Sequence, residues 1–275
     1  MRVIVTRPEN EARVWVQALQ DAGHEASSLP LIVVGPVADI GPLQDAWRDI
    51  GQWDAVMFVS RNAVDYFFKQ KPPLARIFSA QAAIKCRAFV PGAGSAAALH
   101  AQGAEPDWID GPDAVSGQWD SEALWQRVQG RVVPGFRLLI VRGTTVAPAS
   151  AAQDGEVAID VPETGVGRDW LARKATVAGA HVEFVVAYAR TAPVFDPAQQ
   201  AHARAAAQDG SVWLFSSSEA VSNLQHLLPD QSWQQARALV THPRIGQASR
   251  AAGFGDVREV HPALPAVLAS IESLQ

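Results

Sequence analysis

The spacing of apolar and polar positions divides much of the chain into short strands that are each followed by a turn and a helix. Apolar runs of strand length begin near Val3, Val56, Phe89, Leu138, Trp213 and Leu239. Each run leads into small or polar residues and then into a helical pattern, which is typical of α/β proteins. We therefore predict parallel sheets whose turns lie at the carboxyl ends of the strands, where ligands of open α/β sheets bind.

A weak internal repeat relates different parts of this pattern. Both members of each matched pair contain the end of a strand, then a turn of similar composition, and then the start of a helix or of the next strand. The pairs are Ser60 to Val64 with Ser217 to Val221, Val90 to Gly103 with Val240 to Gly253, and Ile4 to Pro8 leading to Ala22 to Glu25 with Ile140 to Gly143 leading to Ala178 to Glu183. Chance similarity between ordinary α/β units is the alternative explanation.

The order of the repeated units predicts that one domain is inserted into another. In the middle of the chain the serine turn and the Pro/Gly turn precede the arginine turn, whereas the first arginine turn stands alone and its companions come last. We predict a discontinuous domain of residues 1–35 plus 191–275 and an inserted domain of residues 36–190. The chain would cross between them at residues 28–37 and 182–191, which are rich in β-branched residues and predict a two-stranded β-ladder.

Two segments have neither a helical nor a strand pattern. Thr144 to Gly167 is rich in Gly, Pro and Ala and predicts a long surface excursion. Residues 106–120 predict a second loop.

Composition narrows the class of protein. A hydrophobic content of 48% and a charged content of 19% are those of an ordinary globular protein. Arg7 and Pro8 interrupt the first apolar run, so we expect neither an export signal nor a membrane span, and we expect a cytoplasmic location. Cys86 is the only cysteine, and its apolar neighbours predict a buried core residue.

The net charge of −5 gives no reason to expect nucleic acid as a partner. Only four of the 23 basic residues are lysine (Lys69, Lys71, Lys85 and Lys174). Arginine is the better residue for forked recognition of carboxylate or phosphate groups. High genomic GC content would produce the same bias without any function.

The sequence contains few of the familiar catalytic patterns. The sequence lacks a nucleophile elbow, a zinc-protease helix motif, a Walker loop and any set of ligands at metal spacing. Gly92 to Ala97 fits a dinucleotide-binding turn, but the acidic residues that should follow it, Asp110 and Asp113, fall in an apparent loop. A turn that merely lets the helix pack closely on its sheet is the simpler interpretation.

The polar residues that follow the apolar strands form the strongest candidate site. Free backbone N–H groups at helix N-termini favour negative groups, so several such turns facing one cleft would bind a polyanion with few lysines. The alternative is that the Ser, Asn and Thr residues are ordinary helix caps. The candidates are Arg7, Ser60, Arg61, Asn62, Gly92, Ser95, Arg142, Gly143, Ser216, Ser217, Ser218, Thr241, His242, Pro243 and Arg244.

Several stretches, in order along nearly the whole chain, resemble the uroporphyrinogen-III synthase family. Each stretch is loosely matched, and their joint order is the specific feature. The stretches are IVTRP, GHEASSLPLI, FVSRNAVDYF, VPGAGSAAAL, DSEAL, LLIVRG, GAHVEFVVAYART, LFSSSEAV and THPRIGQASRAAGF. The long excursion, which begins just after Arg142, and Arg61 depart from the family pattern.

The resemblance implies two flavodoxin-like three-layer domains, the second inserted in the first, joined by a two-stranded β-ladder with a cleft between them. It implies a monomeric lyase that needs no cofactor or metal and cyclises hydroxymethylbilane, a small molecule with eight carboxylates, while inverting ring D through a spiro intermediate. Tyr188 corresponds to the family position that is the usual candidate for assisting departure of the hydroxyl, and the alternative is an aromatic residue buried against the ladder. Ser60 and Ser216 to Ser218 are expected to face each other across the cleft. Binding is expected to close the two domains by a hinge motion.

Two other functions remain open on the sequence alone. One is a non-enzymatic two-domain protein that binds or senses a small anion. The other is a nucleotide-dependent enzyme that uses the Gly92 turn.

Overall fold

All six apolar runs form strands, and a helix follows each of them. The computed structural model describes residues 1–73, 75, 77–80, 82, 85–112, 120–146 and 166–274. The strands are β1 (Arg2–Val5), β2 (Glu25–Ser28), β3 (Val33–Pro36), β4 (Ala55–Phe58), β5 (Arg87–Phe89), β6 (Ile109–Asp110), β7 (Arg137–Thr145), β8 (His181–Thr191), β9 (Val212–Phe215), β10 (Arg237–Val240) and β11 (Asp256–Glu259). The helices are α1 (Glu9–Asp21), α2 (Gly41–Arg48), α3 (Arg61–Phe68), α4 (Ala93–Ala101), α5 (Ser121–Val128), α6 (Val166–Val177), α7 (Pro197–Ala206), α8 (Ser218–Leu227), α9 (Pro243–Ala251) and α10 (Leu264–Glu272).

Contacts within the chain group the residues into two units. The first unit consists of Met1–Val34 and Thr191–Gln275, and the second of Gly35–Arg190. The chain therefore leaves the first unit within β3 and returns to it at the end of β8. These two strands are neighbours in one sheet, as the predicted ladder requires.

The first unit contains a five-stranded parallel sheet in the order β2-β1-β9-β10-β11. Numbered along the chain within the unit, this is the 2-1-3-4-5 order of flavodoxin-like folds. The strands alternate their side chains between two cores. Ile4, Trp213 and Phe215 pack with residues of α7, α8 and α9, whereas Val3 and Leu214 pack with residues of α1 and α10. The unit thus has three layers, with helices on both faces of the sheet.

The second unit contains a six-stranded sheet in the order β3-β8-β7-β4-β5-β6. The pairs from β8 to β6 are all parallel. The four residues of β4 are completely or almost completely buried, as expected for a central strand covered on both faces. Aromatic rings fill the space between β4 and the helices α2 and α3, with Trp47 stacked on Phe67 and Phe58 packed edge-on against Phe67.

The two sheets share one plan, which confirms the internal repeat. The order β8-β7-β4-β5-β6 of the second sheet corresponds to β2-β1-β9-β10-β11 of the first. The serine turns follow β4 and β9, the Pro/Gly turns follow β5 and β10, and the arginine segments lie on β7 and directly after β1. The chain enters this common strand order at a different strand in each unit. The first unit begins with β1, whereas the first of the corresponding strands in the second unit is β4, the counterpart of β9.

The predicted loops need correction where the structure describes them. Within residues 106–120, Pro106–Trp108 form a turn of 3-10 helix and Ile109–Asp110 form β6. A two-residue strand that ends in aspartate has no periodic pattern, so the sequence could not reveal it. In the predicted excursion, Thr144 and Thr145 belong to β7, and α6 begins at Val166. Residues 113–119 and 147–165 lie outside the described residues.

Candidate functional site

In the first unit, the candidate residues lie at the carboxyl ends of β1, β9 and β10, which we call the first edge. β1 and β9 are neighbours and the order of the strands reverses between them. In open α/β sheets this reversal is the switch point at which ligands bind. The candidates at the first edge are Arg7, Ser216, Ser217, Ser218, Thr241, His242, Pro243 and Arg244.

Arg7 lies at this switch point and is largely buried. Its Nη1 donates to Glu11 Oε2 at 3.1 Å, and its guanidinium carbon lies 4.6 Å from the centre of the Trp15 ring. Its Nε is buried without a hydrogen-bond partner among the described residues. The preceding residue, Thr6, is 1% exposed and donates from Oγ1 to the Leu214 carbonyl at 2.7 Å. This bond fixes the turn after β1 against β9.

The other candidates of the first edge are helix caps or their neighbours. Ser217 caps α8 by accepting from the Glu219 N–H at 3.2 Å. His242 caps α9, where its Nδ1 accepts from the Arg244 N–H at 3.1 Å, so the cap requires an unprotonated Nδ1. The local role of these two side chains is the ordinary capping one. Both caps nevertheless direct the N-terminus of a helix toward the edge.

In the second unit, the candidate residues lie at the carboxyl ends of β4, β5 and β7, which we call the second edge. β4 and β7 are neighbours and again mark the reversal of strand order. Gly92 is the N-cap of α4 in an extended conformation, and Ser95 is buried in the first turn of that helix. Arg61 is exposed and lies 3.5 Å from Asp65 as an ion pair. The candidates here are Ser60, Arg61, Asn62, Gly92, Ser95, Arg142 and Gly143.

The predicted turn at Arg142 and Gly143 is wrong, because β7 continues through both residues to Thr145. β8 runs beside β7 over this whole length, and Arg190 Nη2 donates to Thr145 Oγ1 at 3.0 Å. Strand pairing therefore replaces the turn that the Arg-Gly pair suggested. The guanidinium of Arg142 lies 4.7 Å from the centre of the Phe184 ring.

Tyr188 reaches the second edge because β8 contains an irregularity. Arg142 is paired with Val186, and Gly143 is paired with Tyr188, so Ala187 has no partner on β7. Extra residues of this kind redirect the side chains that follow them and are common next to functional sites.

The Tyr188 side chain is almost completely buried, with 2% exposed. Its hydroxyl oxygen lies 3.1 Å from Ser60 Oγ, and its ring centre lies 5.9 Å from that of Tyr66. Ser60 also caps α3 by accepting from the Ala63 N–H at 3.1 Å. The structure thus brings Ser60 and Tyr188 into contact, whereas the sequence predicted Ser60 only as a residue of a strand-end turn and Tyr188 only as a residue of a strand.

The acidic residue expected for a dinucleotide site is not free to bind one. Asp110 does end a strand, contrary to the prediction of a loop, and is almost completely buried. Its carboxylate accepts from Arg87 Nε and, at 3.0 Å, from Arg87 Nη2. A ribose would have to displace this paired guanidinium. Asp113 lies outside the described residues.

Sequence reasoning missed two residues near the two edges, Thr6 and Tyr66, and misjudged the role of a third, Gly143. Thr6 and Tyr66 make contacts that depend on strand order and helix packing, and neither has a local signal. Gly143 was selected as part of an arginine turn, whereas its role in the structure is steric. A Cβ at this position would lie 2.8 Å from the Tyr188 hydroxyl oxygen and closer to the ring carbons.

The sequence model of the family described as "Uroporphyrinogen-III synthase HemD" matches residues 13–150, which is half of the chain. The chain belongs to the uroporphyrinogen-III synthase family. Members of this family are cyclising lyases of tetrapyrrole biosynthesis, and the chain is an enzyme of this class. Membership does not favour the anion sensor or the nucleotide-dependent enzyme.

Named relatives agree with this assignment. The chain is 26% identical over 268 residues to the uroporphyrinogen-III synthase of Salmonella typhimurium, and 25% identical over 262 residues to that of Escherichia coli. The alignments cover 94% of this chain and 94% of each relative.

Two solved structures of uroporphyrinogen-III synthases share the fold. The enzyme from Helicobacter pylori matches with a TM-score of 0.57 at 16% identity and covers 100% of both chains. A mutant enzyme from Thermus thermophilus matches with a TM-score of 0.52 at 15% identity and covers 100% of this chain and 98% of its own. At these identities the likeness concerns the fold alone.

No group of three or more His, Cys, Asp or Glu residues is arranged to hold a metal ion within the described ranges. None of the helices described is both long and apolar enough to cross a membrane.

Proposed function

We propose that this member of the uroporphyrinogen-III synthase family converts hydroxymethylbilane into uroporphyrinogen III and inverts ring D through a spiro intermediate. The observation that carries the proposal is that the candidate residues of each unit lie along one edge of its sheet, the edge that contains the switch point. Family membership supports the same reaction.

Substrate binding is assigned to the helix N-termini and arginines of both edges. The substrate has eight carboxylates, whereas the protein has a net charge of −5, so local donors have to overcome an unfavourable overall charge. The N-termini of α3, α4, α8 and α9 follow strands at the two edges. Each contributes about 0.3–1 kcal/mol toward a negative group, and more where the site is partly buried.

The chemistry requires positioning more than a strong catalyst. Loss of the terminal hydroxyl gives an azafulvene cation, and the substituted carbon of the last pyrrole attacks the exocyclic carbon of this cation. The resulting spiro intermediate then fragments and recloses. The pyrrole nitrogens supply the electron pair for each step. An unaided bilane closes to the symmetrical isomer, so the enzyme has to hold the last ring in the geometry of the spiro attack.

Tyr188 is assigned the proton transfer to the departing hydroxyl. The hydroxyl leaves as water, and the pyrrole carbon that forms the last bond loses a proton, so the reaction is balanced. Negative charge that develops on the Tyr188 oxygen would be stabilised by donation from the Ser60 hydroxyl, 3.1 Å away, and by the N-terminus of α3. The Ser60 oxygen already accepts from Ala63, which leaves its proton available for Tyr188.

The decisive test is an isomer analysis of the product. Hydroxymethylbilane incubated with the protein should give the type III ring, and the same substrate without protein should give the type I ring. The porphyrins are separated by chromatography after oxidation. Formation of only the type I ring with the protein present would disprove the proposed reaction.

Tyr188→Phe tests the assigned proton transfer. The variant should slow turnover by about 10²–10⁴-fold, which is typical for loss of a general acid. It should unfold at nearly the wild-type urea concentration, since one hydrogen bond contributes only about 0.5–1.5 kcal/mol. Full activity in the variant would remove Tyr188 from the mechanism.

A monomeric state, a cytoplasmic location and independence of cofactors belong to the same proposal. Light scattering at working concentration measures the mass of the particle. Activity after exhaustive dialysis against a chelator measures independence of a metal ion.

A further inference from the structure

We propose, on the basis of the proton transfer assigned above to Tyr188, that Gly143 and Tyr66 are positioning residues that hold the Tyr188 hydroxyl at Ser60. Neither residue needs to touch the reacting atoms. Their role follows from how β7, β8 and α3 place one side chain.

The first step is the choice of sheet face. Side chains alternate along a strand, so Tyr188 would ordinarily share the face of Phe184 and Val186. The unpaired residue between Val186 and Tyr188 reverses the alternation. Tyr188 therefore lies on the face of Val185, whose partner Val141 is completely buried.

The second step is the space at Gly143. The Tyr188 ring occupies the volume that a Cβ at position 143 would need, with the hydroxyl oxygen 2.8 Å from that point. Because the aromatic ring is rigid, it cannot fold away as a flexible side chain would. Any larger residue at position 143 has to move Tyr188 away from Ser60 or separate β7 from β8.

The third step is the support from α3. The centres of the Tyr66 and Tyr188 rings are 5.9 Å apart with an angle of 32° between their planes, within the range of favourable aromatic pairs. The Lys69 ammonium lies 3.8 Å from the centre of the Tyr66 ring and holds that ring in turn. α3 thus supplies both the hydroxyl partner, through its cap Ser60, and the ring partner.

Gly143 in β7 and the unpaired residue of β8 both lower the stability of the sheet. Glycine inside a strand weakens it, and an unpaired residue interrupts the ladder. Such departures from local rules cluster at functional sites. The two departures occur at adjacent positions of β7 and β8, and together they determine where one phenol lies.

The test uses the fact that the protein has only two tyrosines. Tyrosine labelled with ¹³C at the ζ carbon gives two NMR signals, which Tyr66→Phe and Tyr188→Phe assign. Gly143→Ala is compared with Gly130→Ala, a change in the same unit at a position without positive φ where a Cβ meets nothing within 4 Å.

We expect Gly143→Ala to shift the Tyr188 signal, and to lower kcat up to about 100-fold with little change in KM. Tyr66→Leu should act in the same direction, whereas Tyr66→Phe keeps the ring and should retain most of kcat. Gly130→Ala should match the wild type in every measurement. An unchanged Tyr188 signal and kcat in Gly143→Ala would overturn the proposal.

A double variant covers the case in which Gly143→Ala fails to fold. Removing the ring in Gly143→Ala/Tyr188→Ala should restore folding, because the clash has gone. Equal instability with and without the ring would overturn the proposal. The NMR and folding measurements need no substrate, so a wild-type protein that makes no type III ring would contradict the proposed function and leave the positioning test intact.

Discussion

At the residue scale, Arg7 is the side chain of the first edge with the clearest unused binding capacity. Two contacts hold it in place, one with Glu11 and one with the Trp15 ring. Its buried Nε has no hydrogen-bond partner among the described residues, which is costly for a polar atom removed from water. In the function proposed above, a carboxylate of the substrate is assigned to this guanidinium, where it would gain a forked contact.

Arg7→Lys should raise KM for hydroxymethylbilane by about tenfold, which corresponds to about 1.4 kcal/mol, with a smaller effect on kcat. Lysine keeps the charge and loses the fork. The matched control is Arg13→Lys, which changes an exposed arginine on α1, the helix that follows Arg7; Arg13 pairs with Glu9 at 3.0 Å. Equal KM values for the two variants would show that Arg7 does not bind substrate. Steady-state kinetics measures both constants.

Cys86 gives a pH-dependent prediction. The thiol is completely buried, as the sequence predicted, and burial, aided by the nearby Asp54 carboxylate, raises the pKa of Cys86 to about 12. The unfolded chain ionises near the ordinary value of 9.0. The contribution of the thiol to stability is therefore complete below pH 9 and is lost as the pH rises from 9 to about 12.

The stability of the wild type relative to Cys86→Ala should fall above pH 9, by at most about 1.4 kcal/mol per pH unit. Urea unfolding of both proteins at several pH values measures this difference. Subtracting one stability from the other cancels the contributions of the other groups that titrate in this range. Parallel stability curves for the two proteins would contradict the raised pKa.

At the element scale, the last strand of each sheet contributes to an ion pair. In the second sheet, Asp110 of β6 is paired with Arg87 of β5 and is 5% exposed in its side chain. In the first sheet, Asp256 and Arg258 both lie on β11 and are both exposed. Burial makes the first pair a structural contact between strands, whereas solvent screens the second.

Asp110→Asn should lower the free energy of unfolding by about 2 kcal/mol, because hydrogen bonds to charged groups contribute about 1.5–3 kcal/mol. Asp256→Asn at the equivalent strand should change it by less than about 0.5 kcal/mol. Urea denaturation of the two variants measures the contrast. Similar losses in both would mean that burial of the Asp110 pair adds nothing.

At the scale of the whole molecule, the two units differ in how the chain builds them. The second unit is continuous, and residues 33–191 contain all six strands of its sheet. The first sheet has β1 between β2 and β9, so its central strands come from opposite ends of the chain. Only the second unit can form its complete sheet from one uninterrupted segment.

A fragment of residues 33–191 should therefore unfold cooperatively in urea, because a domain with its own core can fold alone. A fragment of residues 191–275 should not, since it lacks β1 and leaves β9 without an inner partner. Circular dichroism and amide exchange distinguish the two results. Cooperative unfolding of the shorter fragment would contradict this account of the first unit.

The amino-acid sequence by itself determined the α/β class, the six main strands, the internal repeat and the burial of Cys86. These features are periodic or local, so neighbouring residues carry their signal. The sequence also placed the serine turns and Gly92 at strand ends, because parallel strands with intervening helices put those turns at one edge.

Only the tertiary structure decided the strand order, and with it the two switch points on the edges along which the candidates lie. It corrected the Arg142 turn, since pairing with β8 carries β7 beyond it, and it assigned Asp110 to an edge strand that is too short to have a pattern. It also turned Tyr188 toward Ser60 through one unpaired residue. Strand pairing and helix packing join residues more than a hundred positions apart, and no local pattern encodes which partners meet.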